Sequence, residues 1–184
     1  MRAIRVIGGA LLLAAVALLV SAPGVRAESG PDLERDARQA LNSLTAGNTA
    51  ARLLNQKAIA VLVFPSMVKA GFLFGGQIGE GVLLKRGRAA GYYSSVAASY
   101  GLQAGAQTFG YALFFMNEAA LAYLDESNGW EVGVGPSIVV VDSGMGKSIT
   151  SATLTQDVYA FIFDQKGLMG GIGIQGTKIT RISK

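Results

Sequence analysis

Gly101-Leu102-Gln103-Ala104-Gly105-Ala106-Gln107-Thr108 alternates in steps of two. Glycine and glutamine fall on one side and leucine, alanine and threonine on the other. That is the period of a β-strand, whose successive side chains point to opposite faces. Strand character extends on both sides, with Gly91–Tyr100 before it and Leu102–Met116 through and beyond it. Lys85-Arg86-Gly87-Arg88 reads as a turn. Upstream of the turn lies the glycine-rich run AGFLFGGQIGEGVLL (70–84), and before that the β-branched apolar run AIAVLVF (58–64), which Pro65 is expected to end. Strands joined by short turns pair antiparallel, because a parallel crossover needs a dozen or more residues. Glycines within strands permit bulges and close backbone approach.

The remaining elements follow from capping and periodicity. Pro31 suits the first turn of a helix, and Asp32, Glu34 and Asp36 favour its positive end. Leu33, Ala37, Ala40, Leu41 and Leu44 recur on one helical face, and Gly47 stops the run. Asn48 or Thr49 can cap a second helix through about Lys57, with Leu53 and Leu54 facing the core. Asn117 can cap a helix over 119–124. Trp130–Val141 reads as a strand with Pro136 at an irregularity or an edge, Asp142–Lys147 as a loop, and Ser148–Leu154 as a strand. Val158–Asp164 is a further strand, Gln165-Lys166-Gly167 a tight connection, and Leu168–Ile182 a closing strand. The expected fold class is α+β: an antiparallel, strongly bent, barrel-like glycine-rich sheet covered by the N-terminal helices and one internal helix.

The N-terminus has a different character. Arg2 and Arg5 precede an unbroken apolar run from Val6 to Val20, and Ser21-Ala22-Pro23-Gly24 then breaks any helix. Val25-Arg26-Ala27 places small or aliphatic residues where a signal peptidase would cut. The run is shorter than the roughly 20 apolar residues of a spanning helix. Residues 1–27 are therefore expected to be a cleavable signal peptide and 28–184 a single domain, periplasmic or secreted. Cleavage removes Arg2, Arg5 and Arg26 and no acid, so the 16 basic and 12 acidic residues become 13 and 12, a net charge of +1. Such a near-neutral domain gives no support to nucleic acid as a partner, since that affinity rests on many phosphate contacts.

With no cysteine, the domain has no disulfides and must be held by its core. No histidine is present either, which removes Ser-His-Asp and Cys-His catalysis and ordinary zinc sites. Gly144-Met145-Gly146-Lys147-Ser148 fails as a phosphate loop because Val141 stands where its first glycine belongs. In Gly76-Gln77-Ile78-Gly79-Glu80-Gly81 the glycines of a dinucleotide fingerprint are out of order, and Val82-Leu83-Leu84 continues a strand instead of opening a helix. The acids Glu80, Glu118, Glu131, Asp142, Asp157 and Asp164 sit mostly at turns and strand ends, and nothing in the sequence pairs any two. The expectation is no enzyme, no cofactor and no metal.

Several separated segments, in order, resemble the SYLF domain family, a lipid-binding module known also from yeast actin-patch proteins. They are Phe64-Pro65-Ser66-Met67-Val68-Lys69-Ala70-Gly71, Phe74-Gly75-Gly76, Gly79-Glu80-Gly81, and Gly101 to Gln107 as a G-x-Q-x-G-x-Q strand. Phe115-Met116-Asn117-Glu118, Gly133 with Gly135-Pro136, and Lys166-Gly167-Leu168 with Gly171 and Gly176 continue the likeness. The resemblance implies phospholipid binding, in a bacterial exported member. It offers no catalytic residues. Eukaryotic members bind phosphoinositides, and some bind actin. This chain carries no SH3 or FYVE partner domain, and its first helix holds more acids than bases, which with export argues against actin. The basic cluster Lys85, Arg86 and Arg88, with Lys69 one strand away, is the expected contact for anionic headgroups, the alternative being a solvated hairpin tip. The alternative function is an envelope protein-interaction or scaffold module without lipid specificity. A small outer-membrane β-barrel is a third reading, weakened by the intervening helices and the 8% aromatic content.

Overall fold

A computed structural model describes residues 28–126, 130–131, 135–141 and 154–184; the signal segment, the 142–147 loop and most of the 148–154 strand expected from the sequence lie outside these. Three helices and five strands are described: α1 (Gly30–Gly47), α2 (Thr49–Lys57), β1 (Ala60–Lys85), β2 (Arg88–Phe115), α3 (Glu118–Glu126), β3 (Trp130–Glu131), β4 (Ile138–Val140) and β5 (Val158–Ile182). The strands form one strongly bent sheet in the order β1-β2-β5-β3, with β4 added beside β5.

Capping chemistry sets the helices. The Ser29 hydroxyl accepts from the Asp32 N–H, with Pro31 in the first turn. The Asn48 side chain caps α2 through the Ala51 N–H at 3.0 Å, and Asn117 caps α3 through the Ala120 N–H at 2.9 Å. Leu33, Ala37, Leu41 and Leu44 of α1 and Leu54 of α2 are buried, while Leu53 is only partly so.

The sheet differs from expectation in one respect above all: its strands are far longer. Pro65 does not end a strand, since β1 runs through it to Lys85, absorbing the proline in a register shift between Phe64 and Met67. Residues 91–100 and 102–116 are one strand, and so are 158–164 and 168–182. The supposed connection Gln165-Lys166-Gly167 is a kink inside β5, where Asp164 and Gly167 take positive φ of 51° and 97°. Trp130–Val141 yields two short strands parted near Gly135-Pro136. One pairing is parallel, β4 with β5, so the sheet is mostly but not wholly antiparallel. The residues between β4 and β5 are numerous enough for the crossover that a parallel pair needs.

β1, β2 and β5 thus make a three-stranded ribbon that folds back on itself. The bend in β1 lies at Phe72-Leu73-Phe74, where a register shift accompanies a φ of 60° at Leu73. Beyond it the two limbs of β1 meet. A Cβ on Gly79 would strike the Met67 sulfur and lie 2.9 Å from the Ser66 carbonyl oxygen, and one on Gly81 would lie 2.7 Å from that of Val63. Glycine is required there because the backbones touch.

At the ends of the ribbon, away from the bend, both faces are covered. The outer face (Val61, Val63, Val82, Leu84, Ala112, Phe114, Phe161) packs on α1 and α2. The inner face (Leu62, Phe64, Met67, Tyr93, Leu113, Ile179) is closed by Ala120, Leu121 and Leu124 of α3. We call this the base and the bend the apex.

Candidate functional site

Lys85, Arg86 and Arg88 surround the β1–β2 hairpin turn, and all three are exposed. Arg86 and Gly87 adopt positive φ of 51° and 75°, the two-residue turn that matches strand twist. Lys85 Nζ lies 3.5 Å from Glu118 Oε2, and Arg38 Nε donates to the Gly87 carbonyl at 3.5 Å. Arg86 and Arg38 also border a cleft of about 420 Å³ between the turn and helices α1 and α2. The turn therefore sits at the base.

Lys69 does not join this cluster. It pairs with Gln107 in β2 and borders a different cavity together with Gln77, on the opposite limb of β1. Eight residues of strand, roughly 26 Å at 3.3 Å each, separate the Gln77 level from Lys85. The four basic residues grouped by sequence proximity occupy two ends of the molecule.

Around Lys69 the sheet reverses its polarity. The outer face of the ribbon, with no described helix over it here, presents Val68, Phe72, Phe74, Ile78, Val96 and Leu168 to solvent, with Phe72 75%, Phe74 70% and Leu168 88% exposed; Lys166 and Lys178 share that face. The inward positions are mainly polar, with Lys69, Gln77, Ser95, Ser99, Gln107 and Thr177 beside the buried Ala97; Gln77, Ser95 and Ser99 are buried too. The Ser95 hydroxyl is buried without a hydrogen-bond partner. Apolar outside and polar inside is the arrangement of strands that face lipid. Charge follows the same division. Segments 66–78, 94–108 and 166–178, which build the apex, contain the lysines Lys69, Lys166 and Lys178 and no acidic residue.

Several ionisable groups elsewhere are engaged in holding the fold. Asp157 accepts from the Asn117 side chain (2.7 Å), the Ser137 N–H (2.9 Å) and the Ser137 hydroxyl (2.8 Å), and these donors hold its carboxyl below the usual range. One side chain thereby ties the α3 cap to the approaches of β4 and β5. Tyr93 donates to Asp125, and burial together with that bond raises its phenol. Desolvation pushes Tyr111, on the inner face, up to about 12. Glu80 pairs with Lys184 at 2.6 Å. Among the described residues no group of acidic side chains is arranged to hold a metal ion.

Residues 96–184 match the family model Ysc84, described as Las17-binding protein actin regulator. This part of the chain matches the Ysc84, or SYLF, family. The Ysc84 match runs from the outer-face Val96 through β2, α3 and all of β5, so it takes in two of the three strands of the apex. No curated protein matches the chain. SYLF domains are binding modules, and the inverted apex is the part of this one whose surface is built unlike a folded interior.

Of the apex residues, sequence alone singles out Lys69 as a headgroup contact and does not single out Phe72, Phe74, Leu168, Lys166 or Lys178 as such. The signal that would have found them was the stretch of alternation without acids across three strands.

Proposed function

We propose that this chain is an exported, peripheral phospholipid-binding domain that enters an envelope membrane by its apex and meets anionic headgroups with lysine. The supporting observation is the apex surface: large apolar side chains outward beside Lys166 and Lys178, mainly polar ones inward, and no acidic residue in segments 66–78, 94–108 and 166–178. Magnitudes favour apolar contact as the larger share. Burying a Phe or Leu side chain contributes about 1.5–3 kcal/mol, against about 1 kcal/mol for a lysine near an anionic surface. Three exposed apolar anchors therefore outweigh three lysines, and binding should weaken but persist at high salt. Lys85, Arg86 and Arg88, at the opposite end, cannot share one membrane contact with Lys69 in this orientation.

Export rests on the charged, apolar and small-residue order of residues 1–27. Mass spectrometry of the protein recovered from cells should give an N-terminus at Glu28; a retained signal would remove the periplasmic or secreted reading. Membrane binding is tested by flotation of residues 28–184 with zwitterionic and anionic vesicles at low and high salt. Preference for anionic vesicles with residual binding at high salt is the expected result. Binding to neither would reject the lipid reading. The second reading, a protein-interaction module, draws on the Ysc84 description, which concerns protein binding. A stoichiometric protein partner that protects Phe72 and Phe74, with no flotation, would establish it.

A further inference from the structure

The inner face just behind the apex lines an open cleft of about 300 Å³. We propose that this cavity is a site for one lipid headgroup, a phosphodiester with a single negative charge and hydroxyl groups; this rests on the membrane reading above. Among the described residues lining it, Lys69 is the sole charged one, joined by the amides of Gln77, Gln107 and Gln165 and the hydroxyls of Thr177 and Tyr111. A lysine supplies three donors and a point charge, and the amides of Gln107 and Gln165 each carry two donors and an acceptor. That set suits one phosphate and a small polyol. It does not suit a polyphosphorylated headgroup, whose further charges would lie in the cavity without a counter-ion.

Size and position agree with this assignment. Pockets for whole small molecules run from roughly 300 to 1,000 Å³, so this one has room for a headgroup and not for acyl chains. Val140 and Ile162, 52% and 43% exposed, line its side toward the base, opposite to the apex. Four residues of strand, roughly 13 Å, separate Lys69 from Leu73 at the bend. Half of the hydrocarbon core of a bilayer is about 15 Å thick. An inserted apex would thus set the cavity near the level of the phosphates.

The test is calorimetric titration of residues 28–184 with dihexanoyl-phosphatidylglycerol kept below its aggregation concentration. Dihexanoyl-phosphatidylcholine, inorganic phosphate and a soluble inositol trisphosphate serve as comparisons. The expected result is saturable binding of the glycerol lipid, weakened at least about tenfold by Lys69→Gln. Gln107→Leu should also weaken it, and Lys178→Gln, outside the cavity, should not. Inorganic phosphate binding equally well would overturn the headgroup assignment in favour of a free-anion site. Tighter binding of inositol trisphosphate would overturn the single-charge assignment. Wild-type protein that floats with anionic vesicles yet shows no saturable binding of the short lipid would overturn the cavity and leave the membrane reading standing. Saturable, Lys69-dependent binding without flotation would support the cavity and reject the apex.

Discussion

The base and the apex are built from the same three strands and obey opposite rules. At the base, Val61, Val63 and Phe114 point outward and are covered by α1 and α2, while Leu62, Phe64 and Leu113 point inward onto α3. Apolar side chains occupy both faces because both faces are buried. At the apex no described helix covers the outer face, yet it presents large apolar side chains beside Lys166 and Lys178, and the inner face turns to Lys69 with glutamine, serine and threonine. A soluble domain normally shows large apolar patches only where something binds. The base spends its apolar residues on stability, and the apex leaves them for a surface outside the molecule.

If that division is right, equal changes at the two ends should have unequal consequences. Phe114, packed edge-on against Phe161 with ring centres 5.5 Å apart, belongs to the base. Phe114→Ala should cost about 3–5 kcal/mol of stability, measured by denaturant unfolding. The double substitution Phe72→Asp, Phe74→Asp should leave the unfolding midpoint nearly unchanged and lower vesicle affinity at least about 100-fold, some 2.7 kcal/mol. A large loss of stability there would mean that the apex is core, and the comparison would fail. Asp157→Ala, which removes three accepted hydrogen bonds at the base, should cost about 1–3 kcal/mol without altering vesicle affinity.

The same carboxylate sets an acid limit. Its folded-state pKa is depressed, so its contribution is complete above the ordinary carboxylate value and is lost as pH falls through the lower folded one. Stability of the wild type should decline across that acid window, and Asp157→Asn should flatten the decline. The smallest effect is expected at the hairpin turn. Arg86→Glu together with Arg88→Glu should change stability by no more than about 0.5 kcal/mol and vesicle affinity by only a few-fold. A tenfold loss would make the turn, and not the apex, the membrane contact.

Much of this was legible before the fold was known. Helix α1 from Pro31 to Gly47, α2 capped by Asn48, α3 capped by Asn117 and the turn at Arg86-Gly87 followed from local chemistry that tertiary context did not override, while the Ser29 cap of α1 was not read. Strand length was not legible. Pro65 and the Gln165-Lys166-Gly167 segment carry turn-like composition, but a bulge and a kink accommodate them inside β1 and β5. The parallel β4–β5 pair was hidden for a related reason, since only long-range packing decides where a three-residue strand docks. The grouping of Lys69 with the turn cluster failed because proximity along a ribbon that folds double says little about proximity in space. Neighbours in sequence across the bend lie on opposing limbs, as Gly79 against Met67 does.

Leu73 sits at the sharpest point of that bend with a φ of 60°, in a chain that uses 25 glycines elsewhere. Left-handed backbone costs an L-residue about 1–2 kcal/mol, a cost glycine would avoid. Were the bend under selection for stability alone, glycine would serve it better. A leucine there, 43% exposed, trades conformational ease for a greasy tip. On the membrane reading, the domain is slightly spring-loaded at the point where it first touches its target, and a variant evolved for heat resistance would be expected to relax that residue first and lose its grip in doing so.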